Sequence, residues 1–286
     1  MQPLSARRRL VYLITLILVF AAALPITLLY ASGYRYKPGT GVVRIGGAFI
    51  SVPYSGAEVF LNGHSVGYSG FLKHDFYIGA LVPNTYNVSV QSDGMRSWTR
   101  TIVVEEQIVT DTHALLIKQN IGVYPLIVAT STSATSSPIV ATSTHAISST
   151  EDKDMRAAFA KPEATTTLGA FGELRGEAVF VDHGDTVVRW TNPGEFPPSE
   201  FCMHPSLCVQ EIPIEHTSAL TSTNAEFFIG GVVYTTKEGG VYFSEADVRP
   251  GAIQVPLYQK PGADFRIING QLIVKDGSKL YEIEMQ

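Results

Sequence analysis

The sequence predicts a mainly β protein carried by one N-terminal transmembrane helix. Three observations lead there: a charge-free apolar run near the start, short apolar runs divided by turn residues through most of the remainder, and a charged fraction of only 16%. Low charge with frequent Gly, Pro, Ser and Thr suits short strands and turns better than long solvent-facing helices. A length of 286 residues fits two modest domains. Lys and Arg number 21 against 26 Asp and Glu; residues 1–30 hold three arginines and no acid, which leaves 18 cations against 26 acids after them. A net-acidic body without basic runs argues against nucleic acid as a partner, because that binding works by neutralising phosphates. Two cysteines exclude a disulfide-rich scaffold and a four-cysteine zinc module.

Leu10 to Tyr30 is a run of 21 residues without a charge. At the α-helical rise it extends about 31 Å, the hydrocarbon thickness of a bilayer. Pro25 near its end is tolerated in a membrane helix. Arg7, Arg8 and Arg9 stand at its edge, whereas Arg35 and Lys37 come some distance after it. The positive-inside rule therefore keeps residues 1–9 cytoplasmic and exports the chain beyond residue 30. Tyr12 and Tyr30 near the two ends fit interfacial aromatics. A cleaved signal peptide is the competing reading, through Ala21–Ala23. Cleavage there would leave the apolar stretch Leu24–Tyr30 at the new terminus, so an anchor in the bilayer is expected.

After a glycine-rich spacer at 31–45, residues 46–120 read as a small β domain. Asn62-Gly63 is the preferred centre of a two-residue hairpin turn, since both positions need positive φ. Tyr86, Val88 and Val90 alternate with Asn87, Ser89 and Gln91, the pattern of a half-buried strand. No stretch here keeps a helical period for three turns.

Pro53-Tyr54-Ser55-Gly56-Ala57-Glu58-Val59-Phe60-Leu61-Asn62-Gly63, then Val66-Gly67, Leu81-Val82-Pro83, Tyr86–Val90 and Asp93-Gly94 with Trp98, resemble a PEGA domain over about residues 46–106. The sequence departs from that pattern by one extra residue between Pro53 and Gly56, by Asn84 where a turn glycine is usual, and by Met95 after Gly94. Asn tolerates the left-handed region, so the turn is expected to survive at Asn84. The resemblance implies a small β-sandwich in a surface or envelope protein, with binding of surface layer or wall carbohydrate and no catalytic residues. The order of membrane helix, spacer and module also resembles proteins of candidate-phylum bacteria.

Residues 121–171 read as a Ser/Thr-rich flexible linker with too little apolar surface to offset its ordering entropy, and its Thr/Ser clusters are candidates for O-linked sugars. Strand-and-turn text resumes over 172–286 with an internal echo. Gly231, Val241 and Tyr242 recur as Gly270, Leu280 and Tyr281 at a spacing of 39, and Gly184 marks an earlier copy 47 residues before Gly231. Repeats near this length built from hairpins weakly resemble propeller blades. Closure needs at least four blades, so a meander or a partial propeller-like domain is expected, with oligomerisation as the route to closure.

Few residues invite chemistry. Cys202 and Cys208, outside the cytoplasm, are expected to form a disulfide that pins a surface loop; a metal site from Cys202, His204 and Cys208 with His216 or Glu211 is the alternative. Asp182-His183-Gly184-Asp185 reads as a tight turn more readily than as an acid–base pair. Gly46-Gly47 precedes a strand and not the helix that a phosphate cradle needs. The pairs Glu105-Glu106 and Glu282/Glu284 are expected to face solvent. Trp98, Trp190, Tyr234, Tyr242 and Tyr281 are the candidates for glycan or partner contact, though they read more readily as core or cross-strand pairs. Together these features predict a non-enzymatic, single-pass envelope protein without cofactor or metal. It would bind cell-wall or surface-layer polymer, or alternatively scaffold envelope proteins through sheet edges. An exported hydrolase would require His183, His204 and His216 to converge.

Overall fold

The computed structural model describes residues 6–39, 41–129, 144–160, 172–174, 176–192, 194–214 and 222–286. The protein is mainly β, with one long apolar helix and several small sheets. The helix runs Ala6–Ala31 and continues through Pro25. Among the described residues nothing covers its apolar span. Its length and composition are those of a membrane-crossing segment, and Arg7, Arg8 and Arg9 stand exposed in its first turns.

A hairpin, Tyr34–Lys37 with Gly41–Arg44, leads into a module of two facing sheets. One has the order Asp75–Leu81, Gly46–Ser51, Val109–His113; the other His64–Tyr68, Glu58–Leu61, Asn84–Gln91, Trp98–Val104. Asn62 and Gly63 have φ of 49° and 79°, as the turn chemistry requires. The left-handed residue expected at Asn84 is instead Ala80, φ 58°. Asn84 opens a strand, and its side-chain oxygen accepts from the Thr85 amide.

Beyond residue 120 come three larger sheets. The first contains Gly172–Leu174, Glu177–Asp182, Asp185–Trp190 and Glu211–Ile214; the second Ser222–Phe228, Gly231–Thr236, Gly240–Glu245 and Gln254–Tyr258. The third contains Asp264–Ile268, Gln271–Asp276 and Lys279–Glu284. It is extended by Gly122–Val128, from the other end of the region, and then by His145–Ile147 at its edge. The turns His183-Gly184, Ile229-Gly230 and Asn269-Gly270 all have paired positive φ, so these three glycines are the equivalent positions of the repeat. The equivalent of Gly270 is thus Gly230 and not Gly231. Tyr242 and Tyr281 still correspond, because the next turn has three residues (237–239) in the second sheet and two (277–278) in the third.

The expected linker is in part structured. Gly122–Val128 is an apolar strand whose Pro125 lies where only one side is bonded, so its missing N–H costs nothing. Ser149–Ala160 is a helix with a capping box: the Glu151 amide donates to Ser148 Oγ at 3.2 Å, and the Ser148 amide donates to Glu151 Oε2 at 2.7 Å. Its buried Met155 packs with Ile273 and Leu280 of the third sheet. The remainder of the proposed linker, 130–143 and 161–171, lies outside the described residues.

The two β regions also do not form separate cores. Val59, Val90, Trp98 and Ile102 of the first module share one hydrophobic cluster with Leu116 and Ile117, with Val233 and Phe243 of the second sheet, and with Phe265 and Leu272 of the third. Every residue of Gly231–Thr236 is buried, because Val232 and Tyr234 pack on the first sheet from the strand's other face.

A buried ion cluster crosses this junction. Arg100, fully buried, places Nη2 2.6 Å from Glu245 Oε2 and Nε 3.4 Å from Asp247 Oδ2, while its Nη1 donates to the Arg249 carbonyl. The Trp98 indole N–H donates to Glu245 Oε1 at 3.0 Å. Arg249 is paired to Asp247 at 2.7 Å and donates to the Asp111 carbonyl. Two arginines against two carboxylates leave the cluster neutral. The chains approach so closely that a Cβ at Gly251, φ 99°, would lie 2.7 Å from the Thr99 carbonyl oxygen.

Removing Arg100 leaves Glu245 and Asp247 buried without their counter-charge, a change that typically costs about 3–5 kcal/mol. Arg100→Ala is therefore expected to lower the unfolding free energy by that amount, read as a fall in the urea midpoint at unchanged m by tryptophan fluorescence of the full chain in detergent. The wild type should lose its first module, reported by Trp98, and the sheet of Asp185–Trp190, reported by Trp190, in one transition; two separated transitions would show that they unfold independently.

Candidate functional site

The aromatic residues expected to line a contact surface are largely internal. Trp98 has no exposed surface, and Tyr234 and Trp190 are buried. Tyr234 stacks on half-buried Tyr242 with ring centres 5.6 Å apart, and its hydroxyl accepts from Gln254; burial pushes its pKa up to about 12. Trp190 packs on Phe201 and donates to the Glu195 carbonyl. Tyr281 is half-buried against Tyr258. These five therefore serve the core and cross-strand packing, and they do not make one surface.

An aromatic that does face water beside polar groups is Tyr68, 63% exposed. Strand His64–Tyr68 is the edge of its sheet. Its pairing with Glu58–Leu61 shifts register: Phe60 faces Ser65 but Val59 faces Gly67, whose φ of 147° accommodates the bulge. The shift leaves Val66 packed against the core and turns Tyr68 outward, two residues on. Tyr68 lies opposite Glu58, which lies opposite Gln91 on the next strand. A hydrogen bond from the Tyr68 hydroxyl to Glu58, with that carboxylate's charge, raises the tyrosine pKa. Ser65 Oγ donates to Glu58 Oε1 at 2.6 Å, fixing the acceptor. Tyr68, Glu58, Gln91, Ser92, Asp93 and Ser97 are among the residues lining a shallow groove of about 430 Å³. An interior glycine in a strand was the sequence signal for this bulge.

A second cleft of about 470 Å³ lies between Ile212–Ile214 and the segment from Ser244 to Gln254. Its charged residues, Glu245, Asp247 and Arg249, are those of the buried ion cluster, with Arg249 already paired to Asp247 and both carboxylates in contact with Arg100.

Cys202 and Cys208 form the expected disulfide across a small hairpin, which removes both sulfurs as metal ligands. The insertion carrying this hairpin docks on the first module. Ser206 Oγ donates to Glu105 Oε1 at 2.6 Å, His204 Nδ1 lies 3.9 Å from the same carboxylate, and His113 Nδ1 contacts Glu200 Oε1 at 3.2 Å. Glu105 is thus a docking acceptor, whereas exposed Glu106 lies 3.9 Å from Arg44. Glu282 contacts His145 and Glu284 accepts from Lys118, so neither is merely solvated. His183 sits on an exposed turn against Asp182, and His216 lies outside the described residues. Among the described residues no three His, Cys, Asp or Glu side chains gather as a metal site would require.

No family model matches this chain, and no curated protein is similar to it.

Two expectations arise from the docked insertion. The intact mass of the purified chain should fall two hydrogens below the fully reduced form, with no metal retained. The His113–Glu200 contact should also depend on pH. The hydrogen bond to Glu200 raises the His113 pKa above 6.5 against the effect of burial. Burial pushes Glu200 up, but its bond to His113, its backbone and nearby cations outweigh this and leave it below 4.5. Stability from His113 is complete below 6.5 and is lost as pH rises through its raised folded value; that from Glu200 is complete above 4.5 and is lost as pH falls. Asp111, raised by burial, titrates on the acid side and opposes Glu200 there. His113 is half-exposed, so the contribution is that of a solvent-screened pair, about 0–1 kcal/mol. A melting temperature that declines from pH 6.5 upward, and a flatter profile in His113→Gln, are the expected outcomes.

Proposed function

We propose that this is a single-pass membrane-anchored, non-enzymatic protein that binds cell-wall or surface-layer polymer outside the cytoplasm, through the groove at Tyr68. The Tyr68 constellation is the observation that carries the reading. An exposed ring offers a face for sugar C–H groups, while Glu58, Gln91, Ser92, Asp93 and Ser97 supply acceptors and donors for hydroxyls along one edge. The carboxylates of this groove disfavour an anionic polymer and favour a neutral or amine-bearing one.

The same module carries the PEGA resemblance. Its hairpin at Asn62-Gly63 and its two small sheets support that assignment. The three meanders with glycine turns at 184, 230 and 270 support a partial propeller-like arrangement. The last of them is completed by a strand from the region's beginning. An exported location with the N-terminus in the cytoplasm rests on the helix and on Arg7, Arg8 and Arg9.

A protein-partner reading has one observation in its favour. Phe71 and Leu72, in the loop after Tyr68, are almost fully exposed beside the free edge strand.

Co-sedimentation of the full chain in detergent with isolated envelope polymer, at low and high salt, tests the proposal. Retention should survive salt, and Tyr68→Ala should weaken it about fivefold or more, as truncating a contact aromatic usually does. Unchanged retention in Tyr68→Ala would remove the groove from the mechanism. No retention at either salt, with loss of a crosslinked protein neighbour in a Phe71→Ser/Leu72→Ser variant, would move the assignment to a protein partner.

A further inference from the structure

The hairpin between the helix and the first module has an unusual composition. Residues 31–57 contain Arg35, Lys37 and Arg44 and no acid, whereas 58–286 carry 15 cations against 26 acids. The chain after the helix is thus cationic where it adjoins the bilayer and net acidic beyond. The hairpin register places Tyr34, Tyr36, Val42 and Arg44 on one face, since Tyr34 pairs with Arg44 and Tyr36 with Val42. Tyr36 is 75% and Val42 62% exposed. An apolar cross-strand pair left bare on a two-stranded sheet exposes surface that folding normally buries.

The hairpin is also held close to the helix end. Arg35 folds back over the Tyr30 ring, 3.4 Å from its centre, and donates to the Tyr30 carbonyl at the helix end, which also accepts from the Gly33 amide. Arg44 lies over the Tyr34 ring. The Ile45 amide donates to the Gly33 carbonyl and closes the hairpin base. Gln107 of the first module donates through its side chain to the Ser32 carbonyl and through its amide to the Ile45 carbonyl. Helix end, hairpin and module are thus connected by hydrogen bonds.

We infer that the hairpin of Tyr34–Lys37 and Gly41–Arg44 is a membrane seat: Tyr36 and Val42 enter the interfacial layer while Arg44, on the same face, engages the phosphates of anionic phospholipids, holding the module at a set attitude. The inference rests on the proposed anchoring of Ala6–Ala31 in a bilayer. Continuity with that helix, the local cation excess and the exposed aromatic–aliphatic pair identify the occupant. Tyr rings belong at the headgroup level, and each Lys or Arg near an anionic surface contributes attraction that decays within a Debye length. Glu106, at 3.9 Å, competes only weakly for Arg44.

The test reconstitutes the full chain with Tyr36→Trp into nanodiscs of phosphatidylcholine alone, or of phosphatidylcholine mixed with phosphatidylglycerol. The native Trp98 and Trp190 are buried, so their emission is subtracted using the unsubstituted chain. Brominated lipid should quench the reporter strongly in mixed discs and more weakly in phosphatidylcholine. Adding Arg44→Gln should lower the seated-to-lifted ratio about fivefold in mixed discs and leave phosphatidylcholine discs unaffected. Equal quenching in both discs, indifferent to the charge change, would overturn the role of anionic lipid. A fully solvated, unquenched reporter in a chain that has entered the disc would overturn the seat alone. A chain that fails to enter the disc would overturn the anchor, and the seat with it.

Discussion

The structure depends on Arg100. It lies on a strand whose buried face reads Trp98, Arg100, Ile102, Val104, so a guanidinium occupies a position that the alternation reserves for an apolar residue. Within the first module alone that position would be an error of patterning, because an unpaired buried charge is far costlier than the lost contacts of a hydrophobe. It becomes tolerable only when Glu245 and Asp247 of the second sheet arrive. Such a cluster contributes little net stability relative to apolar packing, but it strongly penalises every arrangement that separates its members. The apolar cluster that surrounds it supplies the cohesion, and the charges favour a docking that brings Glu245 and Asp247 to Arg100, although its Nε and Nη2 make ion-pair contacts without hydrogen bonds.

From that junction the remaining contacts extend in both directions. Gly231–Thr236 is covered on both faces, so the second sheet is the element to which the first sheet, the third sheet and the helix-proximal module all attach. The disulfide hairpin adds a second connection between the first sheet's insertion and the module, through Glu105 and His113. The segment from Ala114 to Ile117, buried between them, is core and not tether. The β regions that the sequence presents as beads on a string share packed cores on the two faces of one strand.

What the sequence made legible was local. Helix Ala6–Ala31 and the turns at Asn62-Gly63 and His183-Gly184 depend on neighbouring residues alone, and each lies where composition and turn chemistry place it. The Cys202–Cys208 pairing is similarly short-range. The capping box Ser148–Glu151 was equally local, but the Ser/Thr-rich surroundings masked it. What stayed illegible is where burial is decided by a distant partner. Trp98 and Tyr234 read more readily as core than as surface, but nothing beside them shows which sheet covers them, and nothing near Arg100 announces Glu245, which lies 145 residues away. Gly122–Val128 failed for the same reason: a strand that pairs with the last strand of the chain has no hairpin signal beside it. The Tyr68 groove was missed because a bulge, which inverts the facing of every residue beyond it, breaks the alternation used to assign faces.

These two scales bear on how a tethered binder works. On a flexible stalk, a groove would sample all directions and lose orientational freedom on every capture, a cost that offsets contact energy. Here the path from the helix to Tyr68 consists of the Ser32–Gln107 and Gly33–Ile45 bonds and then strands that share a core. Under the proposed function, the groove is therefore already oriented before any polymer reaches it, and part of the ordering cost is met in folding. The edge strand that carries Tyr68 is short and bulged, with Glu58 beside it. Both features discourage pairing with another chain while leaving side chains accessible. The physical character of this edge fits recognition by side chains better than strand addition, and that distinction separates the glycan assignment from the scaffold one.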